Sequence, residues 1–343
     1  MKVVLDCLGG DNAPVEMVKG ALLALKENST LKLVLCGDQE EIKKILAENG
    51  NTFSDRIEIV HAPDKIVNNE SPTEAIKKKT NSSLVVAFNC MKADEEIVGL
   101  VSAGSTGAVL TGSFLKVGRI KGVSRPALSP LMPTKKNGKV LLVDCGANMD
   151  CKPINLCHFA VMGSEFMKIV CGVKNPRVAL LNVGVEDKKG NELCSQVFPM
   201  LKKLDINFVG NMEARDFCSG DYDVIVTDAF AGNVLLKGAE GTFSLINSEL
   251  KKSIKSNPIS LLGGLLCKGA FKKLKNKFNL TNQGGSPFIG VKKIIIKSHG
   301  SSEANSIKIS IFQALDMAEK NYNQAIEEAI AKMPVLEEEA TVW

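Results

Sequence analysis

What this 343-residue sequence lacks narrows its function considerably. No apolar run approaches the ~20 residues that a membrane-spanning helix needs. The opening Met1-Lys-Val-Val-Leu-Asp6 meets an acidic residue too early for the apolar region of a signal peptide, which sets the expectation of a cytoplasmic protein. The glycine-rich loops match neither the phosphate loop ending in Gly-Lys-Ser/Thr nor the Gly-x-Gly-x-x-Gly fingerprint, so nucleotide binding is disfavoured. No strand-to-helix turn carries a Gly-x-Ser-x-Gly serine elbow. Cys145, Cys151 and Cys157 recur at a six-residue spacing that is not a zinc pattern, and neither metal nor cofactor is expected. The ten cysteines are scattered without a secretion signal and read as reduced thiols.

What is present is a soluble composition, 45% apolar and 24% charged, with material for a sizeable core. The length fits about two domains, or one large α/β unit. The net charge of +5 is a local property. Eight lysines (251, 252, 255, 268, 272, 273, 275 and 277) and one acid fall between Glu249 and Leu280, so this segment carries +7 and the remainder −2. That distribution points to one anionic partner surface and gives no reason to expect nucleic acid.

Apolar runs alternate with helical patterns along the chain. Lys2–Asp6 reads as a strand, followed by the turn Cys7–Pro14 and a helix to about Lys26, with Pro14 suited to its first turn. Leu31–Cys36 and Arg56–Val60 read as strands, and Ile97–Val101 leads into Ser102-Ala-Gly-Ser-Thr-Gly-Ala108 and a helix to about Val117. Pro126–Met132 and Gly138–Asp144 form a hairpin pattern, followed by a helix from Pro153 to about Val170. Strands at Val178–Val183 and Ile206–Gly210 bracket a further helix. This rhythm implies a mostly parallel sheet with right-handed crossovers.

The stretch Asp223–Gly241 organises the rest. Its short apolar run Val224–Val226 delivers Thr227, Asp228 and Asn233 to the carboxyl edge of a sheet, where open α/β folds keep their ligands. Gly232 allows a tight turn or a close approach. The plainer alternative is that Asp228 or Asn233 caps the helix. Ser102–Ala108 offers backbone N–H groups and the hydroxyls of Ser102, Ser105 and Thr106 to an anion, unless its small residues serve only helix–sheet packing. Loops of this kind follow six strands, and six on one sheet edge describe a cleft.

Taken together, Gly9-Gly10-Asp11 with Ala13-Pro14, Ser102–Ala108, Gly146-Ala-Asn148, Asn182-Val-Gly184 with Lys189-Gly190, Phe208–Glu213 with Arg215-Asp216, Thr227–Asn233, Gly284–Pro287 with Gly290-Val291, and His299–Ser302 resemble the bacterial phosphate acyltransferases of phospholipid synthesis. The resemblance runs in order from Val3 to about Ala304, with Cys7-Leu8 in place of Ala-Met, Ser105 for Asn, and Ala214 and Ala229 for Gly. It implies transfer of an acyl group from acyl-[acyl-carrier protein] to inorganic phosphate. It also implies an α/β fold with a mostly parallel central sheet and helices on both faces, of the phosphotransacylase or isopropylmalate-dehydrogenase type. A homodimer, and supply of acyl phosphate to a membrane glycerol-3-phosphate acyltransferase, are further implications.

The chemistry fits the residues. Phosphate is itself a nucleophile and a thiolate leaves readily, so the protein has to position phosphate and stabilise an oxyanion. Lys189, Arg215 and His299 are the cationic or donor candidates, with Asn233 and Asp228 beside them. Gly9, Gly10, Asp11, Ser102, Gly104, Ser105, Thr106, Gly107, Asn148 and Asn211 are the candidate phosphate and thioester contacts, and Asp6, Asp11, Asp144 and Asp228 are read as holding donors in place. A helical excursion near 234–280 includes a basic amphipathic segment, 249–280. There Leu262, Leu265, Leu266, Phe271, Leu274 and Phe278 recur at helical spacing, with lysines including Lys268, Lys272 and Lys273 opposite, as expected for peripheral contact with an anionic membrane. Residues 1–333 are read as a single catalytic unit, ending in a helix from about Ser302 to Met333, and 334–343 as an acidic tail. The rival readings are a coenzyme A-dependent phosphotransacylase, a decarboxylating dehydrogenase and a non-catalytic membrane scaffold.

Overall fold

The computed structural model describes residues 1–50, 52–278 and 284–336. The first half runs β1 (Lys2–Asp6), α1 (Val15–Glu27), β2 (Lys32–Gly37), α2 (Gln39–Glu48), β3 (Ile57–His61), α3 (Pro72–Lys78), α4 (Ser83–Ala93), β4 (Ile97–Ser102) and α5 (Thr106–Gly112). There follow β5 (Ala127–Leu128), β6 (Leu131–Pro133), β7 (Lys139–Val143), α6 (Pro153–Ile169), β8 (Val178–Asn182), α7 (Glu192–Leu201), β9 (Phe208–Glu213) and β10 (Val224–Val226). The chain ends with α8 (Ala229–Ile254), α9 (Pro258–Leu266), α10 (Lys268–Phe278), β11 (Ser286–Ile289), β12 (Ile294–Lys297), α11 (Ala304–Glu319) and α12 (Tyr322–Ala331).

The mostly parallel α/β class expected from the strand–helix rhythm holds, but the strands divide between two sheets. One has the order β3-β2-β1-β4-β12-β11-β5 and the other β6-β7-β10-β8-β9. The division lies within the expected hairpin. Ala127–Leu128 pairs with β11, Ser129 and Pro130 carry the chain across, and Leu131–Pro133 pairs antiparallel with β7. The apolar core nevertheless runs through both sheets, from Val3 and Val101 to Phe159, Val178 and Val224. Strands buried on both faces explain the uninterrupted Val/Ile/Leu runs of β1, β7 and β12.

Three helical readings need correction. The C-terminal helix is two, α11 and α12, because Asn321 takes a left-handed conformation (φ +52°) that stops the first. The helix after Thr106 gives way to a π turn at Ser113–Val117. The basic amphipathic segment, 249–280, is likewise not one helix: it takes in the end of α8, then α9 and α10, with Cys267 between the last two. Leu262, Leu265 and Leu266 fall on α9, which has no charged residue, while Phe271 and Leu274 share α10 with Lys268, Lys272 and Lys273, so α10 is the part that carries both apolar and basic residues. The side chain of Phe278 and the tail from 337 lie outside the described residues.

Candidate active-site cleft

Strand β10 ends where the sequence places it, and α8 starts at once. Asp228 accepts the Ala231 N–H at 2.8 Å, a helix cap that fixes the direction of α8. Gly232 is required by packing: a Cβ there would lie 2.0 Å from the Asp144 carbonyl oxygen, so only glycine lets α8 press onto the loop after β7. That loop is held by the buried Asp144. Its Oδ1 accepts from the N–H groups of Leu128, Gly146 and Ala147, and its Oδ2 from the N–H and Nδ2 of Asn148, at 2.8–3.2 Å. Burial pushes the Asp144 carboxyl up from its ordinary range.

The first sheet uses the same device. Buried Asp6 at the end of β1 receives the hydroxyls of Ser83 and Ser102, and the Ser102 oxygen in turn accepts the Gly104 N–H at 3.1 Å. Burial raises the Asp6 carboxyl as well. Gly10, at φ +109°, threads between Ala103 and the Gly300 carbonyl, while Asp11 donates its backbone N–H to Gly300 at 2.8 Å. The loops after β1, β4 and β12 are thereby locked together.

Between the two sheets and under α8 lies a cleft of about 1090 Å³. Leu128, Leu131 and Met132 from the crossing segment form one wall, and Leu236, Ala239 and Phe243 from α8 another. Its polar lining includes Thr106, Asn233, Lys297, Ser298 and His299. His299 Nδ1 accepts the Ser301 backbone N–H at 3.3 Å, so the neutral ring carries its proton on Nε2 and can donate from there. The cleft thus falls between sheets rather than along one sheet edge: of the six glycine- and Asn/Asp-rich loops, two follow strands of the first sheet and four follow strands of the second.

The residues singled out from the sequence separate on this geometry. Thr106, Asn233 and His299 line the cleft. Asn148 does not offer its amide to it, because Nδ2 is spent on Pro126 O and Asp144. Ser102 is spent on Asp6, and Gly107 packs against Pro72. Gly9, Gly104 and Ser105 belong to the interlocked loops beside the cleft, with Gly9 against Asp6 and the Gly104 N–H. Asn211 donates to Glu186 O at 2.7 Å, and Asn182 donates to Lys189 O at 2.8 Å, so these side chains fasten the loop carrying Lys189. Lys189 is exposed, and Arg215 is paired with Glu213. Both sit at the β8 and β9 ends of the second sheet and are not part of the cleft lining. Strand β9 is two strand spacings from β10, about 10 Å.

A family model described as fatty acid synthesis protein matches residues 1–325. The phosphate acyltransferase of Clostridium tetani (strain Massachusetts / E88) is 44% identical over 336 residues, covering 98% of this chain and all of that protein. That of Thermoanaerobacterium thermosaccharolyticum is 42% identical over 330 residues, covering 96% and 97%. This chain belongs to the phosphate acyltransferase family. It is an enzyme that transfers acyl groups to phosphate. Its fold is shared with a phosphotransacetylase from Streptococcus pyogenes at TM-score 0.60 and 18% identity, over 95% of this chain and 94% of that one. A branched-chain phosphotransacylase from Enterococcus faecalis V583 aligns at TM-score 0.54 and 16% identity, over 92% and 98%.

Among the cleft residues that sequence reasoning misses is Lys297. An Ile-Ile-Ile-Lys run closing a strand at its carboxyl end is the signal that marks it, since a lysine following a fully apolar run has no ordinary solvent face. Lys237 and Phe243 on α8 also line the cleft, and their positions well inside a long helix carry no local signal of a site.

Proposed function

We propose that the acyl donor is a fatty acyl thioester of acyl-carrier protein and that inorganic phosphate attacks it directly. A phosphate oxygen forms the new bond to the carbonyl carbon, the C–S bond breaks, and the electron pair leaves on sulfur, which is protonated by solvent. A thiol pKa of about 8.5 makes that departure easy without a dedicated acid. The observation that carries this reading is the cleft itself, with apolar walls suited to an acyl chain and polar groups suited to a reacting carbonyl and phosphate. Asn233 and His299 are the donors proposed to face the developing oxyanion.

The test is release of acyl phosphate from acyl-carrier-protein thioester and labelled inorganic phosphate, set against the matching acyl-coenzyme A. Equal or better turnover of the coenzyme A thioester would replace the donor proposed here. His299→Ala is expected to lower turnover by about 10²–10³-fold. Lys189 and Arg215, at the β8 and β9 ends of the second sheet, are proposed as further donors; Lys189→Ala and Arg215→Ala are expected to lower turnover as well, and parental rates in both folded variants would remove them from the site.

The arm formed by α9 and α10 is proposed to rest on an anionic membrane surface. Ile259 is 85% exposed and Leu266 83%, with Leu262, Leu265 and Leu274 exposed beside them, and Lys268, Lys272 and Lys273 exposed on α10. Among the described residues no helix is long and apolar enough to cross a membrane. The homodimer and delivery of acyl phosphate to a membrane glycerol-3-phosphate acyltransferase belong to the same proposal and rest on the family resemblance.

A further inference from the structure

Lys297 is a buried cleft group whose surroundings among the described residues do not account for it. It closes β12, pairs in register with Ser102, and retains only 8% of its surface. Its ammonium has three N–H donors. The fold supplies carbonyl oxygens to it, those of Ala103 and of Ser298, rather than a carboxylate. Of the two acids that favour its charge, Asp6 is itself held by Ser83 and Ser102. Asp6 and Asp11 favour the charge from a distance, while Lys237 on α8 opposes it. An ammonium taken out of water without a close counter-ion is costly, and a fold that needed only a strap between two loops could use a neutral donor there. The cost is recovered when an anion enters the cleft that Lys297 lines.

We propose that the Lys297 ammonium binds the attacking phosphate and holds it against the acyl carbonyl. The inference rests on the reading of the cleft as the site of acyl transfer. In the step written above Lys297 exchanges no proton: it stays an ammonium while the C–O bond forms and the C–S bond breaks. Its contribution is to hold the phosphate in reach of the carbonyl carbon and to screen its charge, a role a point-like ammonium with a spare N–H can fill. Burial draws the group down to about 8, so the charged form needed for phosphate remains available at neutral pH.

The test uses the full chain with inorganic phosphate alone and then with acyl donor. Lys297→Met keeps the shape of the side chain and removes the charge. We expect it to raise the KM for phosphate roughly 10²-fold, as loss of a charge-assisted contact does, with the KM for acyl donor little changed. The rise in melting temperature that phosphate gives the parent protein should disappear. Should the methionine variant fail to fold, Lys297→Gln is read in the same way. A folded variant with parental phosphate KM and a parental phosphate-induced shift overturns the proposal. So does a variant that is less stable yet responds to phosphate as before, since Lys297 would then be only a strap. Phosphate stabilisation that depends on Lys297, in a protein that does not turn over acyl-carrier-protein thioester, would leave this inference standing and remove the proposed donor.

Discussion

At the carboxyl ends of β1, β4 and β7 the chain buries Asp6, Ser102, Asp144 and Asn148, while along α9 it leaves Ile259, Leu262, Leu265 and Leu266 in contact with solvent. These two regions depart from the usual partition in opposite senses. The buried polar groups are nearly all satisfied, and what they satisfy is the backbone of loops that shape the cleft. Their role is to hold loop geometry. The exposed apolar groups satisfy nothing within the described chain, so their account has to be sought outside it. The contrast separates groups that build the site from groups that face a partner, and Lys297 stands between the two: it is buried like the first and short of a charge partner like the second.

The sharpest way to break this comparison is to remove a buried acid. Asp144→Ala leaves the N–H groups of buried Leu128 and Asn148 without their acceptor, at about 1–3 kcal/mol each. A loss of about 2–6 kcal/mol in denaturant unfolding is expected, together with loss of turnover as the Gly146–Asn148 loop moves. A variant with parental stability would show that Asp144 does not hold the loop.

Lys297 gives the next largest effect, and its sign is set by burial. Its folded value of about 8 lies below the 10.5 of an ordinary lysine. Between those limits the unfolded chain binds more protons than the folded one, so the stability of phosphate-free protein rises with pH across that window. The expected gain is about 3 kcal/mol. Lys297→Met lacks it, so the parent-minus-variant difference in unfolding free energy should climb between pH 8 and 10.5. Saturating phosphate should flatten the climb by stabilising the ammonium. A difference independent of pH would mean that the ammonium is not held out of water.

Legibility followed the physics of each element. The junction at Val226–Asn233 could be read from sequence because a strand, a capping aspartate and a helix each leave a local pattern, and Asp228 caps α8. The division into two sheets could not, because Ala127–Leu128 and Leu131–Pro133 look like one apolar run and only their partners, β11 and β7, tell them apart. The function was legible through the number and order of short loop motifs. The role of each motif was not, since a Gly, Ser or Asn that locks one loop to another has the same composition as one that touches an anion. Ser102 and Asn148 fall on the locking side, with their side-chain donors consumed within the fold.

The smallest effects belong to the arm, and they test its half of the contrast. Leu265 is exposed and Phe271 half-buried, so Leu265→Glu with Phe271→Glu should leave the fold and the turnover of soluble acyl-carrier-protein substrate intact in the absence of lipid. Sedimentation with anionic vesicles should be lost. Lys272 and Lys273 are exposed on α10, and each lysine near a charged surface contributes about 1 kcal/mol. Replacing either by Gln should therefore weaken vesicle binding by about fivefold, and added salt should weaken the parent in the same direction. If the glutamate pair unfolds the protein, those side chains are core and the arm has no free apolar face. If the folded pair still sediments with vesicles, or if neutralising the lysines lowers turnover of acyl-carrier-protein substrate without changing vesicle binding, the arm serves the carrier protein rather than the membrane.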